Sequence, residues 1–327
     1  MEKSVESVFH PEIREHFLRA YQLDSTYKLL GDFENYVYEV TKDNQAFILR
    51  VTHSSHRLEE EVLGEIEWVN FLHSHDANVP VIYPSRHNKL VEKQIAENGT
   101  VFYASLFSKV NGSPVRANDD RFDRKLFYSW GKEIGKLHRL TEDFQPETIV
   151  RKQWYEDDLF EIEKYIPQEK MVIKRTKEIM EQLKELPKTS FGLIHNDVHH
   201  GNFFYDDDEI QIFDFDDACY FWYVSDIAIP LYYTCFSLFS DDKTDRSGKQ
   251  EFARQFLDAF MEGYRQEINP PLNWEEQLSL FLKVRDITLY SALNKKITPE
   301  SRSEDLQGQM QQIKQRIEQS EPIVSIN

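Results

Sequence analysis

The stretch Phe191-Gly-Leu-Ile-His195-Asn-Asp197-Val-His-His-Gly-Asn202-Phe-Phe-Tyr205, with Ile212-Phe-Asp214-Phe-Asp216 after it, constrains the fold more than any other part of the chain. It reads as apolar strand, polar loop, strand, turn, strand. Asp206-Asp-Asp-Glu209 is a polar turn between Asn202–Tyr205 and Ile210–Phe215, so these segments should pair as an antiparallel hairpin. A turn centred near Asp207 and Asp208 sets Asn202 roughly opposite Phe213, with Asp214 beside it. Asp197 should enter at the same open end.

The loop carries His-x-Asp-x-x-x-x-Asn, and Asp214 follows on the next strand. That order matches phosphoryl transfer: an Asp beside the acceptor hydroxyl, then an Asn and an Asp holding Mg²⁺. One amide and one carboxylate suit a cation that prefers oxygen ligands and takes others from water and phosphate. Asp206–Asp208 reads as a solvated turn, and His199 and His200 as loop histidines without a metal. A metal hydrolase built on His195, Asp197 and His200 finds no second ligand cluster to complete it.

The 327 residues suffice for two lobes, and 40% hydrophobic with 13% aromatic content indicates a globular chain. A net charge of −18 argues against a general nucleic-acid partner. Cys219 and Cys235 lack metal spacing and fit a reducing compartment. The start lacks a signal-type apolar stretch, and Ile227–Phe239, interrupted by Pro230, reads as a buried helix too short to span a bilayer. A cytoplasmic protein without membrane partners is expected.

Between Thr26 and Val110 strand signals dominate. Tyr27–Leu30, Tyr36–Val40 and Phe47–Val51 are short β-type runs, and Asn98-Gly99 marks a further hairpin. A helix from roughly His56 to His73 carries Leu58, Val62, Ile66, Val69 and Leu72 on one face, with Glu65 in its middle. A carboxylate there needs a partner, and Arg50, sharing a strand face with Ile48, is the candidate. Such a pair repeats the kinase arrangement in which a strand cation touching phosphates is held by a helix Glu. No Gly-x-x-x-x-Gly-Lys-Ser/Thr occurs, and the candidate phosphate cover, Leu30 to Tyr36, has Gly31 alone.

With these pieces in place, the chain resembles the aminoglycoside phosphotransferase and choline kinase superfamily, the kinase-like phosphotransferases, from about Tyr27 to Leu293. The segments HNDVHHGN, IFDFDDA and SDIA carry the resemblance. It implies an α+β, bilobal protein-kinase-like fold. Residues 1–107 would form an antiparallel-sheet nucleotide-binding lobe with one main helix, 108–112 a hinge, and 113–327 a mostly helical lobe with the catalytic loop and acceptor site. It implies Asp197 as catalytic base, His195 as the loop's orienting residue, Asn202 and Asp214 as Mg²⁺ ligands, and Asp226 as a brace for the loop. It further implies that Ser108 C=O and Val110 N–H meet the adenine edge. Arg50 in place of Lys agrees with choline kinases.

ATP and Mg²⁺ are the cofactors so implied, and a small hydroxyl-bearing acceptor the partner. Aminoglycoside, choline-like and homoserine-like compounds all fit. Asp216, Asp217 and the run Tyr220–Tyr223 could recognise a cationic acceptor, or the aromatics could be core and the acids loop residues. A protein Ser/Thr kinase of the same fold and a non-catalytic nucleotide-binding regulator remain open.

Overall fold

The computed structural model describes residues 1–147, 151–239 and 246–326. The chain divides into two compact units: residues 1–111, 144–151 and 211–216 form the first, and the remainder the second.

The first unit opens with two helices, α1 (Lys3–Glu6) and α2 (Pro11–Tyr21), followed by strands β1 (Tyr27–Gly31), β2 (Tyr36–Lys42) and β3 (Gln45–His53). After α3 (Glu59–Ser74) come β4 (Ile82–Tyr83), β5 (Glu92–Ile95) and β6 (Val101–Ser108). The sheet order is β1-β2-β3-β6-β4 with β5 also on β6, and every pairing is antiparallel. Asp43 and Asn44, both left-handed, make the tight β2–β3 turn, a conformation their short polar side chains tolerate. Phe17 and Tyr21 of α2 pack with Val40, Leu49, Val51 and Phe102 in one apolar cluster.

Helix α3 begins at Glu59, three residues later than its apolar periodicity suggests. Glu61 accepts the Leu58 N–H at 2.8 Å, which fixes the cap there. His56 and Arg57 are therefore outside the helix and bind Asp216 instead.

In the second unit α4 (Arg124–Glu142) starts at Asp123, whose carboxylate accepts the N–H groups of Lys125 and Leu126. Helix α5 (Lys170–Glu185) is preceded by short 3₁₀ turns between Trp154 and Lys164. The long helical arm expected from Ile162 is thus delayed, because Pro167 lacks an N–H and disfavours helix at Ile166. Strands β7 (Phe191–Ile194) and β10 (Cys219–Trp222) pair antiparallel, and β7 leads into the loop of residues 195–202. Between them β8 (Phe203–Asp206) and β9 (Glu209–Ile212) form a hairpin whose turn residues, Asp207 and Asp208, are left-handed. The strand expected through Phe215 stops at Ile212, since Asp214 is left-handed (φ 65) and Phe215–Asp217 turn as 3₁₀. Helices α6 (Val224–Leu238), α7 (Arg246–Tyr264), α8 (Trp274–Lys296) and α9 (Glu304–Gln319) complete the unit. Among the described residues no helix is long and apolar enough to cross a membrane.

Candidate active site

In the first unit, strand alternation and helix periodicity bring Arg50 and Glu65 together. Arg50 Nη1 and Nη2 donate to Glu65 Oε1 and Oε2 at 2.8 and 2.6 Å, a bidentate pair with both residues buried. Nη1 is also 3.9 Å from Asp214 Oδ1, so one guanidinium faces both the helix Glu and the strand-following Asp. The buried Arg50 Nε has no partner. Gly31 sits at a β-bulge where an added Cβ would meet nothing within 4 Å. Ser108 ends β6 and stitches it to the preceding chain: its N–H donates to Val81 O and its Oγ accepts the Val81 N–H. Val110 follows in irregular backbone.

Asp216 is the hub of an ion cluster in this unit. Its Oδ2 receives His56 Nε2 at 2.6 Å and Arg57 Nη2 at 3.4 Å, while Glu34 stands 3.3 Å from the same imidazole. Arg151 donates to the Asp216 carbonyl. Burial works to raise the Asp216 carboxyl, but Arg57 and then His56 outweigh it and hold it well below the usual range. Asp216 Oδ2 is thereby committed to internal partners, while its buried Oδ1 has no hydrogen-bond partner. Among the described residues, Glu34, His56 and Asp216 are also the His/acid group with metal-like spacing, and two arginines crowd it.

In the second unit, the loop of residues 195–202 closes on itself. Asp226 Oδ2 and Oδ1 accept the N–H groups of His195 and Asn196 at 2.9 and 2.8 Å, and Asn196 is left-handed (φ 63). His138 Nε2 lies 3.3 Å from Asp226 and its Nδ1 2.8 Å from Tyr264 Oη, so the buried carboxylate is answered from several sides. The His195 ring is fully buried, and its Nδ1 accepts the Asp197 N–H at 3.3 Å. Asn202 Nδ2 donates to Asp197 O and Oδ2 at 2.9 and 3.0 Å. His199 accepts the Gly201 N–H on Nδ1 and holds Nε2 3.5 Å from Asp197 Oδ2.

Two residues at Asp197 escaped the sequence reading. Arg285 of α8 donates from Nη2 to Asp197 Oδ1 and to Tyr233 Oη of α6. Burial alone would raise the Asp197 carboxyl; Arg285, then His199 and His195, reverse that and hold it at about 2. The available signal was the adjacent Arg285-Asp286 pair between Val284 and Ile287, where buried charge demands partners. Asp217 is exposed, but Phe221, Trp222 and Tyr223 are buried, with Trp222 Nε1 donating to Pro187 O. Phe221, Trp222 and Tyr223 are core residues, as the second of the two readings has it, and Tyr220 is half-buried.

The antiparallel sheet of the first unit and the helical second unit have the fold of a kinase-like phosphotransferase. The chain belongs to the phosphotransferase enzyme family, whose family model matches residues 26–271. It is 32% identical to the amicoumacin kinase of Bacillus subtilis (strain 168), over 99% of this chain and 97% of that protein. A solved amicoumacin kinase, hAmiN in complex with AMP-PNP, Ca2+ and Ami, superposes with a TM-score of 0.92 at 30% identity, covering 100% of this chain and 98% of that one. A microcompartment-associated aminopropanol kinase shares the fold, with a TM-score of 0.74 at 20% identity over 95% and 98% of the two chains. The chain is a small-molecule kinase of this family, acting on an alcohol group.

Proposed function

We propose that the chain transfers the γ-phosphoryl group of ATP, with Mg²⁺, to a hydroxyl of amicoumacin or a close analogue. The observation that carries the acceptor is the likeness to amicoumacin kinases along nearly the whole chain. Asp197 is the base: its carboxylate is held ionised at the end of a loop whose backbone Asp226 fixes. The acceptor oxygen bonds to the γ-phosphorus, its proton passes to Asp197, and ADP leaves with the bridging oxygen. Arg50, fixed by Glu65, meets phosphate oxygens, and its unpartnered Nε fits that task. Gly31 and its turn cover the phosphates, and Ser108 and Val110 present backbone to the adenine edge.

Asn202 and Asp214 are the residues that would hold Mg²⁺. The donor set fits: Asn202 spends its Nδ2 hydrogens on Asp197, leaving the amide oxygen as its ligand atom, and Asp214 adds a half-exposed carboxylate. When bound, the ion supplies charge neutralisation on the phosphate oxygens.

The test is Mg²⁺-dependent ADP release with amicoumacin, spectinomycin and aminopropanol offered separately to wild type and Asp197→Asn. Phosphorylated amicoumacin from wild type alone is the expected result. Turnover of one of the others in its place would reassign the acceptor, and equal turnover by Asp197→Asn would remove Asp197 as the base.

A further inference from the structure

The two oxygens of Asp197 have different surroundings. Oδ2 accepts Asn202 Nδ2 and faces His199, so it belongs to the loop's own hydrogen bonds. Oδ1 is the oxygen left for an incoming hydroxyl, and Arg285 Nη2 already occupies it. The same Nη2 lies 2.5 Å from Tyr233 Oη and Nε 3.2 Å from it, with the guanidinium carbon 4.8 Å from the Tyr233 ring centre. The His199 ring also lies 4.8 Å from that of Tyr233.

What anchors Arg285 is the residue after it. Asp286 accepts Tyr232 Oη at 2.7 Å and the Arg316 guanidinium of α9 at 3.0 Å, all three buried. Helices α6 and α8 are therefore joined by two adjacent rungs. Tyr232–Asp286–Arg316 is closed and structural, while Tyr233–Arg285–Asp197 ends on the catalytic carboxylate. The closed rung at Asp286 places Arg285 on α8, and its side chain, 16% exposed, reaches Asp197 and Tyr233.

Resting on Asp197 as the base, we propose that Arg285 is a positioning and specificity residue that caps Asp197 Oδ1 until an acceptor displaces it. A carboxylate oxygen engaged by a guanidinium is a poor proton acceptor for water. Without the cap, water would take the acceptor's place: its oxygen bonds to the γ-phosphorus, its proton goes to Asp197 Oδ1, and ADP and phosphate leave. Arginine has only donors, so its freed N–H groups must find an oxygen. The acceptor that fits carries a carbonyl or hydroxyl oxygen next to the reacting hydroxyl, whereas an ammonium at that spot meets a like charge.

Acceptor-free, Mg²⁺-dependent ADP release reads the cap without any assumption about the acceptor. Arg285→Gln should raise it roughly tenfold, Arg285→Lys should stay near wild type, and Tyr233→Phe should raise it by a smaller factor. Asp197→Asn combined with Arg285→Gln should return the rate to the Asp197→Asn level. With amicoumacin, Arg285→Gln should increase KM more than it lowers kcat. Equal acceptor-free rates in wild type, Arg285→Gln and Tyr233→Phe would overturn the cap, as would a raised rate that survives loss of Asp197. Because Tyr233→Phe leaves every charge in place, it decides the matter even if Arg285→Gln fails to fold. Failure of wild type to phosphorylate amicoumacin would sink the acceptor and leave the ADP-release result to judge Arg285.

Discussion

Glu65 is a carboxylate in a helix face that is otherwise apolar, and Arg50 is what makes that placement tolerable. Removing one member leaves the other charged and buried, which costs more than the pair contributes. Glu65→Ala should therefore destabilise the protein by about 3–5 kcal/mol in urea unfolding. Arg50→Met with Glu65→Leu removes both charges and should recover most of that loss, while activity stays absent. A double variant no more stable than Glu65→Ala would show that packing volume, not the orphaned charge, sets the cost. The partly exposed pair Lys109–Glu39, 2.8 Å apart, offers the contrast: breaking it should cost less than about 1 kcal/mol, because water replaces each partner.

At the scale of elements, α4 and α7 cross more closely than side chains allow. A Cβ on Gly131 would sit 1.8 Å from Phe260 O, and one on Gly263 would sit 1.9 Å from Tyr128 O, so each helix lends the other a glycine. Gly131→Ala and Gly263→Ala should each destabilise by at least about 1–3 kcal/mol, with a double variant less than additive because one crossing absorbs both. Gly308→Ala on α9, where nothing lies within 4 Å, is the control and should be neutral or stabilising by up to ~1 kcal/mol. Thermal unfolding of the three single variants and the double variant decides it; a loss at Gly308 matching that at Gly131 would refute the close-crossing account. This scale also explains what was legible in the sequence. Glu65 lies in the apolar face of its helix, so a buried carboxylate there calls for a cation, and Arg50 on the neighbouring strand is the candidate. Helix α8 buries residues 278, 281, 282, 284, 286, 287, 288, 290 and 291, which point in nearly every direction, so no stripe singled out Arg285. Its partners Tyr233 and Asp197 are far away in sequence and only tertiary packing brings them to it. The Tyr220–Tyr223 run stayed open for the opposite reason: aromatic side chains beside acids suit a cation site and a core equally well, and burial of Phe221, Trp222 and Tyr223, the first two in β10 paired with β7, places those three in the core.

Across the whole molecule 57 acidic residues stand against 39 basic ones, yet the carboxylates that matter for acid stability are the few that are buried with cations. Asp197 titrates at about 2 in the folded protein against 3.8 ordinarily. A carboxyl whose folded value is depressed contributes stability that is fully present above its unfolded value and is lost as pH falls through the folded one. Asp197 contributes stability of this kind, and Asp216 adds in the same direction. Falling from neutral pH first relieves the −18 net charge, so self-repulsion and the buried carboxylates act oppositely. Surface charges are screened at physiological salt whereas buried pairs are not, so the carboxylates should dominate in 0.15 M salt, about an 8 Å screening length. Without metal or nucleotide, Tm should hold nearly level down to about pH 5 and then fall steeply towards pH 2. Asp197→Asn should be less stable than wild type at pH 7, where Arg285 loses its counter-charge, and the gap should close as wild-type Asp197 takes up its proton. A gap that stays constant between pH 7 and pH 2 would mean that Asn loses packing or hydrogen-bond geometry there, and that the charge on Asp197 does not contribute to holding the fold.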